Sequence, residues 1–339
     1  MTTNKVELEI IKQLFSTLSD DDKKSFLKSI KDNQQITEKL NFSRELKECP
    51  HCKSTHFKKN GTTHSKQRYF CHDCKRTFAI TNDTILFSTK KDLSVWQKYI
   101  HCMIEKYSLR KTAEICGINL TTAFNWRHKI LDALQNMMKE VELDGVVEAD
   151  ETFLPISYKG NHRNFKLPRL SYQRGTPASK RGLSKEQVCV PCVVNLGGLS
   201  VAKISNLGKP KLADLQRVIS GKIAKDSVFV TDALRSYIKL SNDMELNHIR
   251  IPRKKRSVGT FNIQTANSYH SHLKSMLIYT FKGVSTKYLN NYLVYHNFVN
   301  FAKESRQDKE QILFVHILNT DCVSKVESLR DRPAIPLAS

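Results

Sequence analysis

Apolar positions along this chain change period several times, and each change marks a different element. LEIIKQLFSTL, SDDDKKSFLKSI and DLSVWQKYIHCMIEKY repeat every three to four residues, the spacing of amphipathic helices. Ser19 and the acidic run behind it supply a helix start. From Gly145 onward the period shortens. GVVEADETF, QVCVPCVVNLG, LSVAKISNL and SVFVTDA read as strands, and LNHIRIP as a shorter fifth. Helical spacing returns in PKLADLQRVISGKI, in TANSYHSHLKSML and in KYLNNYLVYHNFVNFAKE. The order predicts a mixed sheet of the RNase-H-like kind, with the first and fourth strands side by side. QILFVHILNT and the charged SLRDRPAIPLAS end the chain, packed on the core or against a partner subunit.

Hydrophobic residues make up 40% of the 339 residues, enough for a folded core beside small accessory domains. No run of about 18 apolar residues exists, so no membrane span is expected. MTTNKVELEI lacks a secretory apolar core, which points to the cytoplasm. Lys and Arg number 55 against 33 Asp and Glu, a net charge of +22. That excess favours a polyanionic partner, nucleic acid above all.

Nine cysteines include one quartet, CPHC at 49–52 and CHDC at 71–74, with eighteen residues between the pairs. Two such knuckles place Cys49, Cys52, Cys71 and Cys74 around one structural Zn2+. The intervening THFKKNGTTHSKQRYF reads as a basic hairpin with Gly61 near its turn. Asp73 and His72 are not needed as ligands. Cys102, Cys116, Cys189, Cys192 and Cys322 sit in apolar or helical surroundings and read as buried thiols. Cys189 and Cys192 also form a CxxC, but strand alternation keeps them from converging.

KTAEICGINLTTAFNWRHKI has the layout of a helix-turn-helix, with an ordinary helical hairpin as the alternative. Ala113 and Ile115 would pack, Gly117 would turn, and the second helix would begin at Thr121 with Trp126 and Ile130 inward. Thr122, Asn125, Arg127 and Lys129 would face DNA. A segment at 155–186 carries Lys159, Arg163, Lys166, Arg169, Arg174, Lys180, Arg181 and Lys185, either as a DNA-facing arm or as a solvated loop. Lys254, Lys255 and Arg256 form a second basic loop.

Candidate chemistry lies where two strands end in acid, VEAD and VFVTD. Asp150 is the first candidate ligand. Glu148 shares its face and is the nearest substitute, whereas Glu151 points away. Asp232 is the second; it can also start the helix ALRSYIKL. Asn267 and Lys274 lie seven residues apart, close to two helical turns, on one face. Asn267 can offer an amide oxygen to a hard metal, and Lys274 a point charge to a phosphate. Such a set suits phosphoryl transfer assisted by two Mg2+ ions, with Mn2+ as a substitute.

These residues resemble an insertion-sequence transposase of the IS1595 type with an ISXO2-like catalytic domain. The resemblance covers about residues 45–300 and rests on CPHC…CHDC, VEADETF, VTDALRSY, TANSYHSHLKSML and the YLNNYLVYHNF helix. It implies an RNase-H-like domain whose catalytic residues match Asp150, Asp232, Asn267 and Lys274. It further implies binding to terminal inverted repeats, cleavage at 3' ends and strand transfer into target DNA by an oligomer, a homodimer or larger. His248 matches a family histidine; His270 stands where a bulky aromatic is common. The expected layout is a multidomain α/β chain. It has a helical region at 1–45, a zinc ribbon at 46–80 and a helix-turn-helix-like domain at 90–140. A catalytic domain at 141–301, with the basic insertion at 155–186, and a tail at 302–339 follow. A structure-selective nuclease or resolvase, or a regulator that has lost its chemistry, are the alternatives.

Overall fold

The computed structural model describes Ser19, Lys24 and residues 46–63, 66–161, 166, 184–301 and 305–337. The expected N-terminal helices and most of the basic segment after residue 161 lie outside the described residues. The chain divides into two compact units, Met1–Ile80 and Thr81–Ser339.

In the first unit β1 (Phe57–Thr63), β2 (Lys66–Cys71) and β3 (Thr77–Ala79) form an antiparallel sheet in that order. Gly61 lies inside β1, near its connection to β2. The register slips between Lys59 and Thr62, and Gly61 takes the left-handed conformation, φ 65°, that such a bulge requires. The core is small: Phe78 packed by Leu46, Phe57 and Tyr69 beside Cys49 and Cys71.

The second unit begins with α1 (Leu93–Ile104), α2 (Leu109–Cys116) and α3 (Leu120–Met138). Ser108 caps α2 and Asn119 caps α3, each accepting a backbone N–H from the first turn. Gly117, at φ 58°, ends α2 in the left-handed region. Trp96 and Trp126 stack with ring centroids 3.7 Å apart. Ala113, Trp126 and Ile130 are buried as expected, but Ile115 is 45% exposed.

The sheet follows. β4 (Val146–Pro155) pairs antiparallel with β5 (Gln187–Asn195), which carries β6 (Ser200–Ala202) and the short β7 (Asn206–Leu207). β8 (Val228–Thr231) joins the other side of β4 in parallel, and β9 (Asn247–Arg250) joins β8. The spatial order is β6-β5-β4-β8-β9. β4 is central because VVEADETFL buries both faces, which only an interior strand can do. One face packs on α4 (Leu212–Ile219) and α5 (Arg235–Asp243) through Val147, Ala149, Val193, Leu215, Phe229 and Leu240. The other meets α6 (Gln264–Ser275).

A π-helical turn, Met276–Thr280, continues α6, and α7 (Leu289–His296) packs along α3. α8 (Arg306–Asn319) packs on α1 and α3, and α9 (Val326–Arg330) follows. Arg332 then grips Asp132 of α3 with two bonds of 2.7 and 2.8 Å. The C-terminal segment thus packs within this unit. Among the described residues no helix is long and apolar enough to cross a membrane.

Candidate active site and metal centre

The sheet's connectivity creates the site. From β4 the chain runs outward to β5 and β6, then crosses to β8 on the other side. Strand order reverses there, the place where open α/β sheets hold their ligand crevice, beyond the carboxyl ends of the strands. β8 leaves the sheet after Thr231, whereas β4 runs on to Pro155. Ala149 pairs with Thr231, so Asp150 and Asp232 are the next residues on two neighbouring strands. Alternation turns Asp150 toward the α6 side, whereas Asp232 lies just past the end of β8 and acts on Asp150 through its charge.

Asp150 is half-buried. Its Oδ1 accepts the Glu151 N–H at 2.9 Å, and its Oδ2 lies 3.8 Å from His270 Nδ1. Burial pushes its carboxyl up to about 6, and the nearby Asp232 charge adds to that. Lys274 opposes the shift, which places its ammonium within electrostatic reach of Asp150. Asp232 Oδ1 accepts the Leu234 N–H at 2.9 Å, closing the turn into α5. Asn267 is exposed on the first turns of α6. Asp150 and Asp232 make no ion pair with Lys or Arg among the described residues, and carboxylate oxygens are donors that a hard cation takes.

Three neighbours gain roles that sequence alone did not reveal. Glu148 is buried, and its carboxylate accepts two hydrogen bonds from the start of α6. Alternation alone makes it a substitute ligand; here both its oxygens are engaged by α6. Glu151 lies on the opposite face beside Tyr237, and burial pushes it up to about 7. His270 is the α6 side chain that meets Asp150. Its Nε2 is buried without a partner, and burial lowers the ring to about 4. His248 lies outside the crevice, on β9, with one ring nitrogen 2.8 Å from Thr231 Oγ1 and the other 3.1 Å from Ser241 Oγ. Thr231 Oγ1 also bonds the Asp232 carbonyl oxygen, so His248 braces the backbone behind Asp232.

The four thiols of the first unit form a second centre. Cys49, Cys52, Cys71 and Cys74 place their sulfurs within 4.8 Å of one another, with pairs at 3.7 and 3.6 Å. Tetrahedral Zn–S bonds of about 2.3 Å would hold sulfurs roughly 3.8 Å apart, so the cluster fits zinc. Lys53 and Lys75, each directly after the second cysteine of its pair, adopt φ 62° and 56°. This matched left-handed turn folds each knuckle back on its thiols. Backbone N–H groups of Cys74 and then Asp73 lower the Cys71 thiol to about 6. Asp73 is engaged by Ser54 at 2.5 Å and His56 at 3.4 Å, and His72 stacks on His56. Neither is a fifth ligand. Of the other thiols, Cys102, Cys116, Cys189 and Cys192 are buried and Cys322 is half-buried.

The helical region departs from expectation at Arg127. Its guanidinium is 1% exposed, donates to the Tyr107 carbonyl at 2.8 Å and lies over the Phe281 ring. It ties α3 to the loop before α2 and cannot face DNA. Arg127→Ala is therefore expected to lower the unfolding free energy by about 3 kcal/mol in urea titrations, with a smaller loss for Arg127→Met, which keeps the volume. A variant as stable as wild type would contradict this placement. Thr122, Asn125 and Lys129 stay partly exposed. Thr122 and Lys129 line a cleft of about 280 Å3 with Phe87, Lys90, Lys91 and Trp126. Lys254, Lys255, Arg256, Lys159, Lys166 and Lys185 are exposed. Arg163, Arg169, Arg174, Lys180 and Arg181 lie outside the described residues.

Comparison with known proteins bears on the sheet unit. A protein of Halobacterium salinarum, described as an uncharacterized protein in transposable element ISH50, is 23% identical over 248 residues, covering 72% of this chain and 82% of its own length. A crystal structure of a pre-cleavage Mos1 transpososome aligns with 65% of this chain and 74% of its own at 10% identity and a TM-score of 0.25, too loose a likeness to argue from. Residues 142–299 match the family described as the ISXO2-like transposase domain, from the approach to β4 through α7. Over those residues the chain is similar to the ISXO2-like transposase domain.

Proposed function

We propose that this chain is a DNA transposase. It would bind the inverted repeats at the ends of its element, cleave DNA 3' ends and join them to target DNA. One observation carries the chemistry: Asp150 and Asp232 each directly follow one residue of a matched pair, Ala149 and Thr231, on adjacent parallel strands, and Asp150 meets the helix bearing Asn267 and Lys274. The order β6-β5-β4-β8-β9, antiparallel on one side of β4 and parallel on the other, supports an RNase-H-like catalytic domain. Two capped helices around a left-handed glycine support a helix-turn-helix at α2 and α3.

Asp150, Asp232 and Asn267 would hold divalent metal, Mg2+ by preference. Bound there, it would activate water or a 3'-hydroxyl and stabilise the leaving oxygen. Lys274 would hold a phosphate oxygen of the scissile strand along the same helix face. His270 keeps α6 against Asp150, and Glu151 with Tyr237 closes the far side of the strand to water. The net charge of +22, with exposed lysines beside α3 and in the loop after β9, would carry duplex DNA through phosphate contacts. A homodimer or larger assembly would bring two element ends together.

The test is a joining assay on the DNA flanking this gene, with Mg2+ or Mn2+, and with Asp150→Ala and Asp232→Ala alongside. Joined products that vanish in both variants are expected. Metal-dependent cleavage without joining would make the chain a nuclease instead, and end-binding without cleavage would make it a regulator.

A further inference from the structure

Glu148 is a buried carboxylate without a cationic partner among the described residues, an arrangement that is costly unless donors surround the charge. Its donors come from far along the chain. Thr265 Oγ1 donates to Oε1 at 2.9 Å, and the Ala266 N–H donates to Oε2 at 2.9 Å, 118 residues away in sequence. These are the first residues of α6. The local cap position, Ile263, offers no side-chain bond, and Asn262 reaches only the Gln264 N–H. A carboxylate at a helix N-terminus is also stabilised by the helix dipole.

The position of this contact matters. Glu148 lies two residues before Asp150 on the same strand face, and Ala266 directly precedes Asn267. The path from the first proposed metal ligand to the third therefore runs through this one carboxylate. One turn on, His270 Nδ1 lies 3.8 Å from Asp150 Oδ2, longer than a hydrogen bond, and Asn267 falls between that contact and the Glu148 bonds. With Glu148 removed, α6 keeps its burial against the sheet through Ala266, Tyr269 and Leu273, but its rotation and axial register relative to β4 lose their polar lock.

We propose that Glu148 is a positioning residue, holding α6 so that Asn267 and Lys274 meet the metal and phosphate at Asp150. This inference rests on the metal-site reading above, and the experiment separates the two. Mn2+ affinity of the full-length, zinc-loaded protein is measured by electron paramagnetic resonance, beside end-joining. Asp150→Ala is the control for the site itself. Glu148→Ala is expected to weaken Mn2+ binding about tenfold to a hundredfold, as loss of an outer hydrogen-bond partner does. Glu148→Gln retains an acceptor oxygen, and the Thr265 hydroxyl can turn to accept from its amide. It should stay within about threefold of wild type. Thr265→Val, which removes one of the two contacts, should weaken binding several-fold and serves if Glu148→Ala does not fold.

Joining should fall in parallel and recover in Glu148→Ala when Mn2+ is raised, measured well below the variant's melting transition, where simple destabilisation leaves the folded fraction unchanged. Wild-type affinity in Glu148→Ala overturns the proposal, as does wild-type affinity in Thr265→Val where Glu148→Ala does not fold. Equal loss in Glu148→Gln and Asp150→Ala also overturns it and makes Glu148 a ligand. If Asp150→Ala binds Mn2+ like wild type, the metal-site reading fails and the proposal falls with it.

Discussion

Asp150→Asn is expected to abolish DNA joining and yet to make the metal-free protein more stable near neutral pH. Both effects have one origin. The Asp150 carboxyl is pushed up to about 6 from 3.8, by burial first and by Asp232 second. A raised acid stabilises the fold fully below its unfolded pKa, and that contribution is lost as pH rises through the folded value. Above about pH 6 the folded chain therefore holds a buried carboxylate at a cost of about 3 kcal/mol. Asparagine has the same shape and its Oδ1 can still accept the Glu151 N–H, without the charge. The variant should melt a few degrees higher at about pH 8, by roughly 2–4 °C per kcal/mol for a domain of this size, and no higher at about pH 4.

Adding Mg2+ should reverse the order, raising the wild-type melting temperature and leaving the variant unchanged. Joining should fall at least about a thousandfold, roughly 4 kcal/mol of lost transition-state stabilisation. Glu151, pushed up to about 7 by burial, should leave a residual pH slope in the variant. A melting curve that is the same for both proteins from pH 4 to 8 would remove the electrostatic argument. Joining at the wild-type rate would remove the catalytic one.

Zinc removal is expected to unfold β1, β2 and β3 while leaving the second unit intact. The first unit buries little besides Phe78 and its own ligands. Structural zinc contributes on the order of 10 kcal/mol in modules of this kind, far more than such a core supplies. Cys71 is the most informative position, because backbone donors already lower its thiol and favour the metal-binding thiolate. In Cys71→Ser, or after chelation, amide exchange between residues 46 and 80 should become fast. The melting transition of residues 81–339 should stay where it is, since the two units are separately compact. Slow exchange at Phe70 or Phe78 in the zinc-free chain would show that the fold stands without metal.

How much of this was legible in advance depends on the range of the forces involved. Zinc-ligand spacing is local, and the four cysteines converge as their sequence spacing requires. Strand alternation is local as well, so Asp150 and Glu148 share a face, and Glu151 lies opposite them. Seven-residue spacing brings Asn267 and Lys274 to one side of α6. Other outcomes depend on what packs against each position. Arg127 looks like a surface cation on a helix, yet α7 and the turn holding Phe281 cover it. Ile115 looks like a core residue, yet it is 45% exposed. Gly61 stands near the turn as expected, and a register slip makes it a bulge.

The sequence by itself determined the order of elements, the cysteine cluster and the acids that end two strands, because period, spacing and charge are written along the chain. Only the tertiary structure decided that β8 stops beside Asp150, that His270 meets it, and that Glu148 caps a helix 118 residues away. Those are pairings between distant segments. Hydrogen bonds and desolvation act through space, and a linear pattern carries no distance across the fold.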